Sequence, residues 1–218
     1  MIKEKILSLD LGLWLYRLSL PGIVILLLCG IFQVGEPAGF SALTGTVLLL
    51  ATLLPAAAVR LSWWKDNAYV RLLLRHQRQL GICSGLWFVA HGAASALFFF
   101  DRGQPLAEQF TVPALRPTWV LLPVMLLLLA TSLPAVQQAM GERWKRIHTL
   151  VWLLPFPMML HGNLALLHFE KEEFAPATIL VLVLVAVAVI EAVKTKKGYR
   201  LLWVLAGMAL AGLIAFTA

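Results

Sequence analysis

The sequence predicts an all-α protein, a polytopic bundle of transmembrane helices with six core spans and a seventh. Three observations carry this. First, 61% of the 218 residues are hydrophobic and 13% are charged, with a mean hydropathy of +0.85. A soluble core of this size cannot hide so much apolar surface, whereas a bilayer accepts it on the outward faces. Second, the apolar residues fall in runs of roughly 17–24, long enough to cross a hydrocarbon core about 30 Å thick. Third, the basic residues that give the net charge of +7 sit in short connections between those runs. That is a topology signal rather than a nucleic-acid surface, so no nucleic-acid partner is expected and lipid is.

Taken in order, the spans are expected near 13–32, 41–59, 79–100, 118–138, 147–168, 174–193 and 201–217. Lys3 and Lys5 precede a first apolar run, Leu11 to Phe32, that is too long for the core of a cleaved signal. No small-residue cleavage site follows it, so a retained span is expected. Connections are short and none has the composition of a soluble domain. Residues 1–218 therefore read as a single transmembrane domain. Cys29 and Cys83 both lie in apolar segments and form no CxxC motif. They are expected to pack.

Lys and Arg fix the orientation. The N-terminal tail and the loops after spans 2, 4 and 6 hold fourteen of them, against three on the other side (Arg102, Arg116 and Lys171). The N-terminus is then cytoplasmic and the end of span 7 lies outside. Trp14, Trp63, Trp64, Trp144 and Trp203 fall near the cytoplasmic boundaries and Trp119 near the outer one, as an interfacial belt requires. Trp87 and Trp152 lie deeper and are expected to pack.

Titratable groups inside a bilayer are costly and need a reason. His91 lies in the middle of span 3, His161 deep in span 5, His148 at the start of span 5 and His76 just before span 3. His168, near the outer end of span 5, reads as an interfacial residue. Spans 3 and 5 run in the same direction, and a six-coordinate haem between two helices needs imidazoles at equal depth. His76 and His91 are fifteen residues apart, His148 and His161 thirteen. At 1.5 Å per residue each separation is about 20 Å, room for two stacked haems. Equal depth pairs His91 with His161 and His76 with His148. For the inner pair a second arrangement stays open, in which His148 has no histidine partner and Arg75 and Arg78 pair haem propionates. Without haem, the histidines would merely satisfy polar contacts between helices.

One conflict stands inside this reading. Thirteen residues of ideal α-helix leave His148 and His161 about 140° apart in phase. Pro155 and Pro157 lie between them and break the hydrogen-bond ladder. Either they restore the phase or only one of the two histidines faces the interior. On span 3, Gly81 and Gly85 form a GxxxG, and Ala90, Gly92, Ala93, Ala94 and Ser95 surround His91. Such residues admit a close backbone or a flat macrocycle, or simply a neighbouring helix.

Arg75-His76-Gln77-Arg78-Gln79-Leu80-Gly81, with His91 ten residues on, resembles the third span of the ferric-reductase-like transmembrane superfamily. So do Ala130-Thr131-Ser132 and Gly141-Glu142-Arg143-Trp144-Lys145-Arg146-Ile147-His148 followed by His161. Weaker matches are Ala51-Thr52-Leu53-Leu54 running to Arg60, and Arg116-Pro117. Within the superfamily the chain is most similar to the haem-binding membrane subunits of bacterial methionine-sulfoxide reductase systems. The resemblance implies b-type haem, one or two per chain, on His91, His148 and His161, with FMN as a further cofactor. It implies a bacterial inner-membrane protein that takes electrons from a cytosolic flavin reductase or quinol. A periplasmic molybdenum-containing reductase would receive them. His76 falls where the family more often has no histidine, and the seventh span is extra.

The chain has no GxGxxG, no Walker motif and no HExxH. It is therefore expected to be an electron-transfer subunit rather than a complete enzyme. The alternatives are a subunit that reduces ferric iron or dioxygen at the outer face, and a haem-free structural or assembly membrane protein.

Overall fold

The computed structural model describes residues 13–25, 37–64, 66–101, 103, 105, 108, 111–168, 176–195 and 199–216. Lys3, Lys5, Cys29, Lys65, Arg102, Lys171, Lys196 and Lys197 lie outside the described residues, as do the ends of the first and sixth expected spans. The described chain is helical, in ten α-helices with two 3-10 pieces and no strand among the described residues. It divides into two compact units, Met1–Leu106 and Ala107–Ala218.

Among the described residues five helices are long and apolar enough to cross a membrane: Gly39–Arg60, Gln77–Leu97, Pro113–Thr131, Glu142–Leu167 and Tyr199–Phe216. The protein is a multi-pass membrane protein. The first expected span begins as a shorter apolar helix, Leu13–Ile25, and the sixth coincides with a helix over Pro176–Thr195.

The first unit contains α1 (Leu13–Ile25), α2 (Pro37–Arg60), α3 (Ala68–Arg75) and α4 (Gln77–Asp101). Helices α2 and α4 run antiparallel at close quarters, and two bonds fix their register. The buried Ser84 hydroxyl donates to the Gly45 carbonyl at 2.8 Å, and Gln77 Nε2 donates to the Thr52 carbonyl at 3.0 Å. Gly45 permits the approach, since a β-carbon there would sit 3.1 Å from the Phe88 ring. Helix α1 closes over the same core: Trp87 packs with Ala90, Ala94, Ile23 and Leu48, and its Nε1 donates to Ser19 Oγ at 3.3 Å. Trp87 is therefore a packing residue, as expected.

Helix α3 is short and amphipathic, with no buried residue. Asn67 caps it by accepting from the Tyr69 and Val70 amides. Exposed Trp63, Trp64 and Tyr69 accompany exposed Arg71 and Arg75, the composition of an interfacial segment.

In the second unit a 3-10 turn, Pro113–Leu115, leads into α5 (Thr118–Thr131). The fourth span was expected over 118–138 but ends at Thr131. Leu133, preceding Pro134, is forced into an extended conformation (φ −64°, ψ 136°). Pro134 then starts a separate short helix, α6 (Pro134–Met140). Gly141, at φ 53°, makes the reversal that only glycine takes without strain. The fifth span also starts earlier than residue 147. Its charged lead-in is already helical as α7 (Glu142–His148), with Glu142 in the first turn and Lys145, Arg146 and His148 in the last, as the helix dipole favours. A 3-10 segment, Thr149–Leu153, follows, and then α8 (Pro155–His168), α9 (Pro176–Thr195) and α10 (Tyr199–Phe216). Asn163 Nδ2 donates to Thr178 Oγ1 at 3.0 Å and joins α8 to α9.

Candidate functional site

The four candidate histidines divide equally between the units: His76 and His91 in the first, His148 and His161 in the second. The His168 side chain lies outside the described part.

In the first unit the two histidines belong to one helical run. His76 forms the joint between α3 and α4: its N–H bonds back to the Leu72 and Leu73 carbonyls, and its own carbonyl accepts from Leu80. Fifteen residues of α-helix separate it from His91 by about 22 Å and leave them about 60° apart in phase. The His76 side chain is 6% exposed, and neither ring nitrogen has a hydrogen-bond partner among the described residues. A buried polar group without a partner is uncommon and calls for an explanation. Burial, and then the neighbouring Arg75 charge, push its pKa below the ordinary imidazole value. At neutral pH the ring is therefore uncharged and carries a lone pair, the form that ligates iron. His91 is half-buried, beside the stripe formed by Trp87, Ala90 and Ala94. On its other side Gly92 and Ala93 are exposed, and a β-carbon at Gly92 would meet nothing within 4 Å. Arg75 is exposed and Arg78 half-buried, one on each side of His76 in sequence.

In the second unit the phase conflict between His148 and His161 is resolved, and by the 3-10 segment as well as the prolines. Pro155 and Pro157 have no N–H to give the Val151 and Leu153 carbonyls. Val151 is served instead by the Leu154 amide in a tighter, three-residue bond of 3.3 Å. Five residues at about 120° each, in place of 100°, add about 100° of rotation between the histidines. The ideal mismatch of about 140° falls to about 40°. The steeper 3-10 rise also lengthens the separation to about 22 Å, equal to that between His76 and His91.

Hydrogen bonds agree with the restored phase, because both histidines meet the fourth span. His161 Nδ1 donates to the Ala114 carbonyl in the turn before α5, at 2.6 Å. His148 Nε2 lies 3.1 Å from Thr131 Oγ1, at the last residue of α5. The two bonds prepare the rings differently. With the His161 proton on Nδ1, its lone pair is on Nε2, the tautomer held by a backbone carbonyl in metal-ligating histidines. The Thr131 hydroxyl already donates to the Leu127 carbonyl at 2.7 Å, so it accepts from His148 Nε2–H. Ligation through Nε2 at His148 requires that bond to be exchanged. Trp144 braces the ring: its indole stacks on His148 at 4.2 Å between centroids, and its Nε1 donates to the Thr131 carbonyl at 2.8 Å. Trp144 was expected in an interfacial belt, and its contact with His148 adds a second role. The i, i+4 spacing of Trp144 and His148 on α7 was the available signal. No comparable signal pointed to Ala114.

The donor chemistry thus fits haem at His161 through the tautomer that the Ala114 carbonyl holds. It fits at His76 through an uncharged imidazole that has no hydrogen-bond partner among the described residues, and at His148 after the Thr131 bond is broken.

Comparison with known proteins gives one family. The pattern described as ferric reductase like transmembrane component matches residues 41–159. The match takes in His76, His91 and His148 and stops two residues before His161. No solved structure matches the chain.

Proposed function

Since the chain belongs to the family of ferric reductase like transmembrane components, we propose that it carries electrons across a bacterial inner membrane on b-type haem. The family membership supports a membrane electron-transfer role, and its members commonly bind haem. The N-terminus is cytoplasmic, by the asymmetry of Lys and Arg. Electrons come from a cytosolic flavin reductase or quinol, with FMN as a donor-side cofactor. They leave to a periplasmic molybdenum-containing methionine-sulfoxide reductase. The protein is the electron-transfer subunit of that system, and residues 1–218 form its one haem-binding domain.

The observation that carries this reading is the family match over residues 41–159, which takes in His76, His91 and His148. The pairing proposed is the one expected from depth along the sequence, His91 with His161 on one haem and His76 with His148 on another. When bound, haem supplies a one-electron carrier whose potential follows from its axial ligands and the dielectric around it. His161 offers Nε2 because Ala114 holds the other proton. Arg75 and Arg78 are placed in sequence to pair propionates beside His76.

A reduced-minus-oxidised spectrum of the purified protein tests the reading. Two low-spin b-type haems per chain are expected, and none at all would leave a haem-free structural or assembly protein. Flavin fluorescence after acid extraction tests FMN. For the acceptor, deletion of the gene should impair repair of oxidised methionine outside the cytoplasm more than iron uptake. The reverse would assign the protein to ferric iron reduction.

A further inference from the structure

Resting on the haem reading above, we infer that α10 is a positioning clamp for the 3-10 segment, and so sets the angle between His148 and His161. The segment is five residues long, more than a 3-10 helix ordinarily sustains, because its hydrogen bonds are poorer than those of an α-helix. The two prolines explain why the α ladder fails at Val151 and Leu153. They do not explain what holds the segment from its start at Thr149.

The holding residues are on α10. Arg200, Trp203 and Gly207 are three and four residues apart and share a face. Each meets a residue of the segment. Trp203 Nε1 donates to Thr149 Oγ1 at 3.1 Å. The Arg200 guanidinium lies 5.7 Å from the centroid of the buried Trp152 ring and is itself held by the buried Glu191 carboxylate of α9. Gly207 lies against the Leu153 carbonyl so closely that a β-carbon would collide with that oxygen. This is the carbonyl that Pro157 deprives of its helical donor, and a glycine allows the α10 backbone to cover it. Were the segment to relax to α-helix, His148 and His161 would turn by about 100° relative to each other.

The test uses the full chain purified with its haem, comparing Gly207→Leu with Gly212→Leu. Gly212 is on the same helix, and a β-carbon there would meet nothing within 4 Å. Gel filtration and far-ultraviolet circular dichroism establish folding. Haem-to-protein ratio, midpoint potential and electron paramagnetic resonance g-values then report the ligand geometry. Gly207→Leu should shift the potential and the g-values and weaken haem retention roughly tenfold, the scale of an outer-shell ligand support. Gly212→Leu should match wild type. If Gly207→Leu does not fold, Trp203→Phe decides, since it keeps the ring and removes only the donor to Thr149. A folded variant with wild-type potential and g-values overturns the clamp and leaves the haem reading intact. Wild-type protein without haem overturns the reading and the clamp together.

Discussion

His161 Nδ1 lies 2.6 Å from the Ala114 carbonyl oxygen, so the second half of the fifth span is tied to the turn that opens the fourth. The tie determines which nitrogen carries the proton, and hence which face of the imidazole can accept a metal. At the opposite end of the same pair, Thr131 and His148 make the complementary contact. Two histidines on one span are thus oriented by one neighbouring span.

His161→Ala should remove one haem, because a haem held by a single imidazole is weakly anchored. His161→Gln should remove it equally while keeping a side-chain donor for Ala114. Its thermal stability should therefore stay within about 1 kcal/mol of wild type, the usual worth of one hydrogen bond. Haem-to-protein ratio and a thermal melt separate the two effects. Full haem retention in either variant removes His161 from the ligand set.

Thr131→Val distinguishes the two states of His148. If His148 ligates iron through Nε2, Thr131 is not its partner in the loaded protein, and the variant should keep both haems at unchanged stability. If instead His148 stays on Thr131, the substitution strands a part-buried N–H. Stability should then fall by about 1–3 kcal/mol. Chemical denaturation of the loaded protein in detergent reads the difference.

His148→Ala and His76→Ala should each abolish the same haem. The measurement is the low-spin signal per chain. Should His76→Ala keep its full complement and low-spin character, the His76 imidazole is not a ligand, and the second arrangement with Arg75 and Arg78 on propionates takes its place.

Orientation follows from charge. A reporter at Lys196 should read cytoplasmic and one fused after Ala218 should read external, given fourteen basic residues against three. A cytoplasmic reading at Ala218 would mean that the helix over Tyr199–Phe216 does not cross.

The membrane class was legible because it depends on counting along the chain. Apolar run length marked Gln77–Leu97 and Tyr199–Phe216 closely. Where local backbone chemistry intervened, counting failed. The fourth span stops at Thr131 because Leu133 precedes a proline, a signal present in the sequence but hidden inside an apolar run. The phase of His148 against His161 was legible as a conflict and not as a solution, because Pro155 and Pro157 announce a break without saying which residues retighten. The contacts of His161 with Ala114, and of Thr131 with both His148 and Trp144, join residues up to 47 positions apart. No local pattern encodes them.

Gly207 against the Leu153 carbonyl also has a consequence in time. The chain is made from the N-terminus, so Thr149–Leu153 enters the membrane well before Tyr199–Phe216 has left the ribosome. Until that helix is inserted, the Leu153 oxygen has neither its helical donor nor its cover. The second unit is therefore completed from downstream. Ribosome-stalled chains ending before Tyr199 should accordingly insert their earlier spans yet fail to retain haem.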